Sequence, residues 1–490
     1  MSSRFWFVPA AVALVVLAGA LSTPRTPVVA PVVAAPQNGT STIDDQTDLA
    51  LTVYNSNLAL VRDVRVIPIS RGTSDLHFMD IAATVNPATV HFRSLTDPAR
   101  LRVLEQNYEY DLLEPEKLLR KYVGRDVTVV RMRQDGGVTR EEEVKARLLS
   151  YNNGPVWRIN GEIVTGLRAD AFRFPSLPDN LYSRPTLIWT IDNNGGPSQR
   201  VEASYLATQL SWNADYVLTV TRDDNAGDLD GWVTLTNGSG TPFRNASLQL
   251  VAGDLNLVRQ QFMADMAKTR QEAATPVAAP MSQESFSEYH LYTLGRKTSI
   301  NNSETKQLSM LEATGFPVQK RYVVEGQAYY YRNRQHPGSP IKDLVQVYYQ
   351  LKNEAKSGLG MPMPAGTVRV YQADSKDGLH FVGEDHISHT PKDETISVKI
   401  GNAFDVICER QQTDFEKIGE SVYDLEYAVT LRNHKTTPIT VEVNEPLGGT
   451  WRMLSSSHPW TKGDAWSAKF TVPVASDGTA VLKYRVRITY

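Results

Sequence analysis

The densest set of groups able to do chemistry lies in HFVGEDHISHTPKDE, where His380, Glu384, Asp385, His386 and His389 fall within ten residues. Imidazole nitrogens and carboxylate oxygens in that number are the donor set of a zinc site. The spacing argues against one. His386 and His389 are three apart, which puts them on opposite faces of a strand and on one face only in a helix. The flanking GED and HTPKDE read as turns, so a surface hairpin with locally satisfied polar groups is expected. A second cluster, TRDDNAGDLDG, gathers Asp223, Asp224, Asn225, Asp228 and Asp230. It lacks the register of an EF-hand loop, since the twelfth position from Asp223 is Thr234. The expectation is a solvated turn between YVLTV and GWVTLTN, with an irregular calcium site as the alternative. Ser457 and His458 adjoin in SSSHPW. Neighbours in sequence are not expected to form a dyad, because catalytic partners usually meet from distant segments. The sequence holds no G-x-S-x-G elbow, P-loop or G-x-G-x-x-G. No catalytic, cofactor-binding or metal-ligating residue is therefore assigned, and no cofactor is expected.

Aromatic residues remain. AYYYRNR carries Tyr329, Tyr330 and Tyr331, and QVYYQ carries Tyr348 and Tyr349. On predicted strands, neighbours face opposite ways, so at least one tyrosine of each run lies on an outer face. With Trp451, Trp460 and Trp466 they suit a glycan or peptide platform, and packing explains them as well. The single cysteine, Cys408, sits in FDVICE, where Phe404, Val406 and Cys408 alternate onto one expected buried face. A lone thiol there reads as a small hydrophobe, and no intrachain disulfide is possible.

The elements that must position these groups are mostly strands. In YDLEYAVTLRN, Tyr423, Leu425, Tyr427, Val429 and Leu431 share one side, and PITVEVN alternates again after NHKTT, which predicts a hairpin. The last strand alternates Leu482, Tyr484, Val486, Ile488 and Tyr490 with Lys483, Arg485 and Arg487. One wet and one buried face is the pattern of an antiparallel sandwich. The exception is LLEPEKLLRKYVG. Pro115 suits the first turn of a helix, Glu114 and Glu116 lie at its positive end, and Lys117, Arg120 and Lys121 lie toward its negative end. Leu118, Leu119 and Tyr122 form its apolar stripe, and Gly124 can end it.

The predicted fold is all-β: several antiparallel, Ig-like β-sandwich domains, a small β-barrel-like insert and one short helix near 115–123. Residues 1–20 read as a signal peptide, with Arg4 ahead of the apolar run 5–22 and an A-x-A pattern at Ala18-Gly19-Ala20. That run is also just long enough to stay as an uncleaved anchor. Residues 21–47 read as a disordered linker. The expected folded parts are a sandwich at 48–119, the insert at 120–185 with a hairpin at DGG, and a C-terminal region at 186–490. The last has two β regions around a mobile excursion at 263–285.

VLEQNYEYDLLEPEKLLRKYVG resembles a signature of an exported bacterial family carrying the domain of unknown function 4139, with the mucoidy-inhibitor-A-like proteins as relatives. LSWNADYVLTV, LDGWVTLTNGSG, LQLVAGDLN, HLYTL, NSETKQLSMLEA, GEDHISHTPKDE, LRNHKTTPITVEV and SSSHPWTKGDA match in consistent order, so the resemblance spans nearly all of 51–490. Glu114 departs from the expected capping Ser, and the long coiled-coil helices of the mucoidy-inhibitor branch are absent. The resemblance implies export and a β fold, and brings no activity or catalytic residue with it.

Charge narrows the partners. Lys plus Arg number 51 and Asp plus Glu 54, a net charge of −3, which attracts neither nucleic acid nor an anionic membrane overall. No later segment is apolar for long enough to cross a membrane once the signal is removed. The expected protein is exported, periplasmic or extracellular, and binds or scaffolds an envelope protein or polysaccharide. The alternative is a secreted hydrolase of a glycan or peptide, using carboxylates that converge from distant loops. A deep cleft with two or more carboxylates of shifted pKa would distinguish the two.

Overall fold

In the computed structural model the described residues are 39–109, 114–135, 138–177, 184–253, 281–286, 289–335, 340–376 and 378–490. The period-two stretches become strands, because apolar residues on one side of a pleat need a core and polar ones opposite need water. Val422–Asn433 buries Leu425, Tyr427, Val429 and Leu431. Gly478–Thr489 runs antiparallel to it, with Tyr427 opposite Tyr484, and buries Leu482, Tyr484, Val486 and Ile488. Among the described residues the only α-helix is Pro115–Lys121. Pro115 opens it, Arg120 and Lys121 occupy its last turn, and Leu119 and Tyr122 are buried. Gly124 follows at φ +84°, a left-handed conformation that glycine adopts without strain, and its N–H reaches the Leu148 carbonyl at 2.6 Å.

Six sheets build the fold among the described residues. An eight-stranded sheet centres on Gln46–Tyr54 and Leu58–Pro68, flanked by Phe243–Ala252 and Ser198–Thr208. Against it packs a four-stranded sheet containing Gly72–Met79, Thr186–Asn193 and Leu101–Glu109, with Phe92 against Trp189 at 4.2 Å. A central five-stranded sheet, from Glu304–Pro317 across to Leu379–Ile387, packs there too. Its Trp212 donates an indole hydrogen bond to the Val251 carbonyl at 3.3 Å. These three sheets share one core. A second core lies inside a C-terminal sandwich. One of its layers is a six-stranded sheet ordered Thr395–Asn402, Val345–Lys352, Gln319–Glu325, Ile439–Pro446, Ser467–Val474, Trp460–Asp464. The facing layer is ordered Ile341–Asp343, Val406–Lys417, Val422–Asn433, Gly478–Thr489, Thr450–Ser456.

The structure revises the expected organisation in several places. The strands of 48–119 do not form a separate sandwich: Leu58–Pro68 pairs along its whole length with Ser198–Thr208, and Gly72–Met79 pairs with Thr186–Asn193. Strands from either side of the insert thus complete each other's sheets, which removes edges that each part would expose alone. The sheet of the 120–185 insert is open, not barrel-like: its outer strands Glu162–Thr165 and Ala171–Arg173 do not pair with each other. Its core instead joins the helix, through Leu119 and Tyr122, to Trp157, which stacks on Phe172 at 5.4 Å. The hairpin expected across NHKTT is an arch, because Val422–Asn433 and Ile439–Pro446 lie in the two facing layers of the sandwich. Asn433 pins that arch by donating to the Thr437 and Ala475 carbonyls at 2.9 Å each. The sheets are also not purely antiparallel. Gly366–Ala373 runs parallel to Leu210–Val220, and Gln319–Glu325 runs parallel to Ile439–Pro446.

Folded structure begins before the expected end of the 21–47 linker. Thr40–Ser41 pairs with His77 and Phe78, and Thr42 with Asp45 forms a capping box over Ile43–Asp45. Residues 1–38, which include the expected signal peptide, lie outside the described residues, as do 254–280, which include 263–280 of the expected excursion. The end of that excursion is a strand, Ser282–Phe286, paired with Tyr289–Thr293. The helix expected near 115–123 and the strands flanking DGG form as read, with Asp135 opposite Val138.

Because the insert has its own core, Trp157→Ala is expected to destabilise it by about 3–5 kcal/mol. Hydrogen exchange should then quicken over 126–173 and stay slow in the C-terminal sandwich. Loss of protection throughout the chain would show that the insert is not a separate cooperative unit.

Candidate functional site

The six-stranded sheet has one face committed to packing and one left to solvent. Its inner face divides between the two cores: Val345, Val347, Val441 and Val443 enter the sandwich, whereas Tyr349, Leu351, Ile396 and Val398 enter the core beneath the central sheet. Alternation then fixes what the outer face can carry. Strand register aligns Lys399, Tyr348 and Arg321 in one row across the sheet, and Ser397, Gln350 and Gln319 in the next. A further row holds Glu325, Asn444 and Lys469. The face is polar, with one half-exposed aromatic ring, Tyr348, near its middle.

Three depressions follow one another over this face. One of about 510 Å³ lies where the chain passes from the central sheet into the six-stranded one, floored by Pro317, Val318 and Leu351. A second, of about 210 Å³, lies over Arg321, Tyr348 and Asn444 and shares Gln350 with the first. A third, of about 320 Å³, shares Glu325, Asn444 and Lys469 with the second and reaches Gly463 and Ser467. Through these shared residues the three adjoin in a row across the strands, here termed the groove. Trp466, 62% exposed, immediately precedes Ser467 at that end.

The electrostatics of the groove are ordered. Burial works to raise the pKa of Glu442, yet hydrogen bonds from Arg321 and Lys469 outweigh it and hold the carboxyl below its ordinary value. Asn444 donates to Glu325 at 2.8 Å, Gln350 to Ser397 at 2.7 Å, and Tyr348 to Gln346 at 2.7 Å. Burial, then the nearby Glu325 and Asp385, raise the Tyr348 phenol, so it stays a neutral donor and stacking surface. Side-chain amides, hydroxyls and an aromatic ring on a rigid sheet suit a ligand with many hydroxyl groups. A carboxylate bound by two cations is a poor proton donor.

Two polar networks, one buried and one partly exposed, hold this sheet in place. Within the sandwich, Arg410 and Glu445 are fully buried and joined at 2.5 Å, while Arg410 also donates to Asp343 at 2.7 Å. Tyr331 donates to Glu445 and lies 2.7 Å from the Tyr484 hydroxyl. Burial raises the pKa of Glu445 against the pull of Arg410, and burial, with Glu445 adding to it, raises Tyr331 and Tyr484. Gly326 permits this packing, since a Cβ there would collide with the Glu445 carboxylate. Between the sheets, Asp224 accepts from Tyr349, from Gln372 at 2.7 Å and from Lys320 at 3.0 Å. Asp224 lies at φ +58°, so the turn holds a strained left-handed residue to present its carboxylate.

The sequence candidates are distributed as follows. His380, Glu384, Asp385 and His386 lie in a strand, Leu379–Ile387, so GED is not a turn. Their atoms have separate partners. His380 pairs with Asp374 at 2.8 Å and holds that carboxyl down at about 2, Glu384 faces Arg369 at 3.4 Å, and Asp385 accepts from the Lys399 amide at 2.7 Å. His389 accepts from the Ala365 amide at 3.1 Å. Among the described residues no three His, Cys, Asp or Glu side chains converge on a possible metal position. In the second cluster, Asp228 accepts from the Gly315 amide at 2.8 Å and Asp230 sits opposite Glu312. Burial, then Glu312 and Asp228, raise the Asp230 pKa.

Ser457 and His458 touch, at 2.9 Å between Oγ and Nδ1, so adjacency does not prevent the contact itself. The same Oγ accepts from the Lys483 amide at 2.8 Å. Ala328–Tyr331 is a 3-10 turn instead of a strand, with Tyr330 and Tyr331 buried and Tyr329 exposed. Tyr348 and Tyr349 face opposite ways as read. Trp451 and Trp460 pack together at 5.6 Å, with Lys462 over Trp451 at 4.9 Å. Cys408 is buried and its thiol is pushed up to about 12, chiefly by burial. Phe404 is not on its face: it precedes the strand and is 95% exposed. Sequence reasoning singled out neither Arg321, Gln350 and Asn444 nor Arg410 and Glu445, because each set is assembled from strands distant in sequence.

No family model matches this sequence, and no curated protein matches it.

Removing one member of the buried pair leaves its partner uncompensated. Arg410→Met is expected to lower the unfolding free energy by about 3–5 kcal/mol in urea titrations, with part restored by adding Glu445→Gln. Glu442 carries a pH signature. Its folded pKa lies below the ordinary 4.5, so its stabilisation is present above that pH and is lost as pH falls through the folded value. Urea midpoints measured from neutral to acid pH should fall more steeply for the native protein than for Glu442→Gln. Parallel curves would show that the two cations do not hold Glu442 down.

Proposed function

We propose that this is an exported cell-envelope protein that binds or scaffolds and does not catalyse, and that the outer groove of its six-stranded sheet is the binding platform. One observation carries the reading. The groove combines Tyr348 with the amides of Gln350 and Asn444 and the hydroxyl of Ser397, on a sheet whose inner face is fixed in two cores. Such a surface hydrogen-bonds and stacks without moving, the arrangement that binds a sugar chain at low ordering cost. The paired state of Glu442 with Arg321 and Lys469 supports binding over acid–base chemistry. Export rests on the apolar leader at 5–22 and on the resemblance to the family carrying the domain of unknown function 4139. The partner class this surface fits is an envelope polysaccharide, with an envelope protein as the other outcome of the test.

A secreted hydrolase is the second reading, favoured by the Ser457–His458 contact. The contact uses Nδ1, Oγ also accepts from a backbone amide, and among the described residues no carboxylate pairs with His458, the orienting role a triad requires. Covalent labelling of Ser457 by a serine-directed phosphonate would support this second reading over the first.

The platform is tested by affinity capture from envelope extract, with the native chain and the Tyr348→Ala/Gln350→Ala variant compared at equal melting temperature. The variant is expected to retain about tenfold less polysaccharide, the scale of one lost stacking contact and its hydrogen bond. Equal retention by both proteins would remove the groove from the function.

A further inference from the structure

The charges of the groove are distributed unevenly along it. Over its middle they balance in number, Arg321, Lys469 and Lys399 against Glu442, Glu325 and Asp385: Glu442 accepts from both Arg321 and Lys469, Asp385 accepts from the Lys399 backbone amide, and the Lys399 ammonium makes no ion pair among the described residues. At the junction with the central sheet they do not. There Lys356 is paired with Glu354 at 3.0 Å, and Lys352, on the rim of the 510 Å³ depression, makes no ion pair among the described residues. Lys352 shares the lining of this depression with Ser357, Thr395, Gln319 and Gln350, and with the apolar residues Pro317, Val318 and Leu351.

We propose that this end of the groove binds a carboxylate-bearing sugar unit of an acidic polysaccharide, its carboxylate at Lys352 and its chain continuing over Gln350 and Tyr348. This deepens the platform reading and rests on it. A cation on the rim of a depression, with no anion paired to it, favours an anion there, and apolar groups in the lining suit the face of a sugar ring. The neighbouring amides and hydroxyls match ring hydroxyls. A peptide is the poorer occupant. Strand addition needs a free sheet edge, whereas this groove crosses five strands that are already paired, and its lining offers no series of apolar side-chain pockets. Equal numbers of opposite charges in the middle and an excess of one cation at the end, Lys352 and Lys356 against Glu354, imply one recognised carboxylate per bound segment, in place of a general attraction for polyanions.

The test uses the whole chain with oligomers of galacturonate and of glucuronate, each beside its carboxyl-reduced counterpart, in calorimetric titrations at low salt. At least one acidic oligomer is expected to bind about tenfold more tightly than its reduced form, a difference that Lys352→Glu abolishes without lowering the melting temperature. If acidic and reduced forms bind equally, or if Lys352→Glu leaves the difference intact, the inference fails while the platform reading stands on the Tyr348→Ala/Gln350→Ala comparison. If no acidic oligomer binds, the inference is overturned. Continued retention of envelope polysaccharide by the native chain then keeps the platform, and loss of both removes the platform as well.

Discussion

A guanidinium with no exposure to water sets the geometry of the C-terminal sandwich. Arg410 reaches across the sandwich to Glu445 in the opposite layer and sideways to Asp343 on the neighbouring strand, while Tyr331 and Tyr484 complete the network. The pair is a weak source of net stability, because desolvating both charges costs several kcal/mol that an apolar pair would not incur. Its effect is one of register. The charges can be satisfied only when the two layers, the Ile341–Asp343 strand and the 3-10 turn at Ala328–Tyr331 all meet in one arrangement. The remaining nitrogen, Nη2, is buried without a partner among the described residues, so slippage of the layers would leave still more of this charge unsatisfied.

The same sheet is held from a second direction. Its strand Val345–Lys352 runs beyond the sandwich, so Val345 and Val347 pack in one core and Tyr349 and Leu351 in the other. A single strand with its side chains in two cores cannot tilt relative to either without opening one of them. Asp224 reinforces the join by binding side chains from both sheets, and Gly383 lets the edge of the central sheet approach the Ile400 carbonyl more closely than any larger residue would allow. The outer face therefore has a rigid foundation that its own polar residues do not need to supply.

Legibility in the sequence followed the range of the interactions. Val422–Asn433 and Pro115–Lys121 were readable because their signals, alternation in one and a proline entry with charge asymmetry in the other, lie within a dozen residues. The pairing of Leu58–Pro68 with Ser198–Thr208 was not, since nothing local distinguishes two amphipathic strands that meet from two that do not. The arch at NHKTT misled for a related reason: alternation specifies which side faces a core, and leaves open whether two successive strands share a sheet or face each other across it. Tyr329–Tyr331 were read as strand because a run of tyrosines favours one, yet Tyr331 is drawn into the Arg410 network and the chain turns to deliver it. The groove itself was only partly visible. Tyr348 could be placed on an outer face, but Arg321, Asn444 and Lys469 join it through strand order alone.

The distribution of polar groups in this molecule also separates structure from recognition. The conspicuous local clusters, around His380–His389 and Asp223–Asp230, are occupied with nearby amides, Arg369 and inter-sheet contacts. Their density reflects the needs of edges and turns, where backbone groups lack ladder partners. On the proposed reading, recognition falls instead to residues that look unremarkable in sequence, one or two per strand and separated by apolar neighbours. A sheet enforces this: each strand can contribute only every second residue to a face, so any broad platform must be gathered thinly from many strands. For a fold built almost wholly of sheets, dispersed Gln, Asn, Ser and Lys on one protected face are a better pointer to a ligand than clustered acids and histidines on one loop. On the proposed reading, Lys352 is the point on that face where a polar surface becomes a selective one.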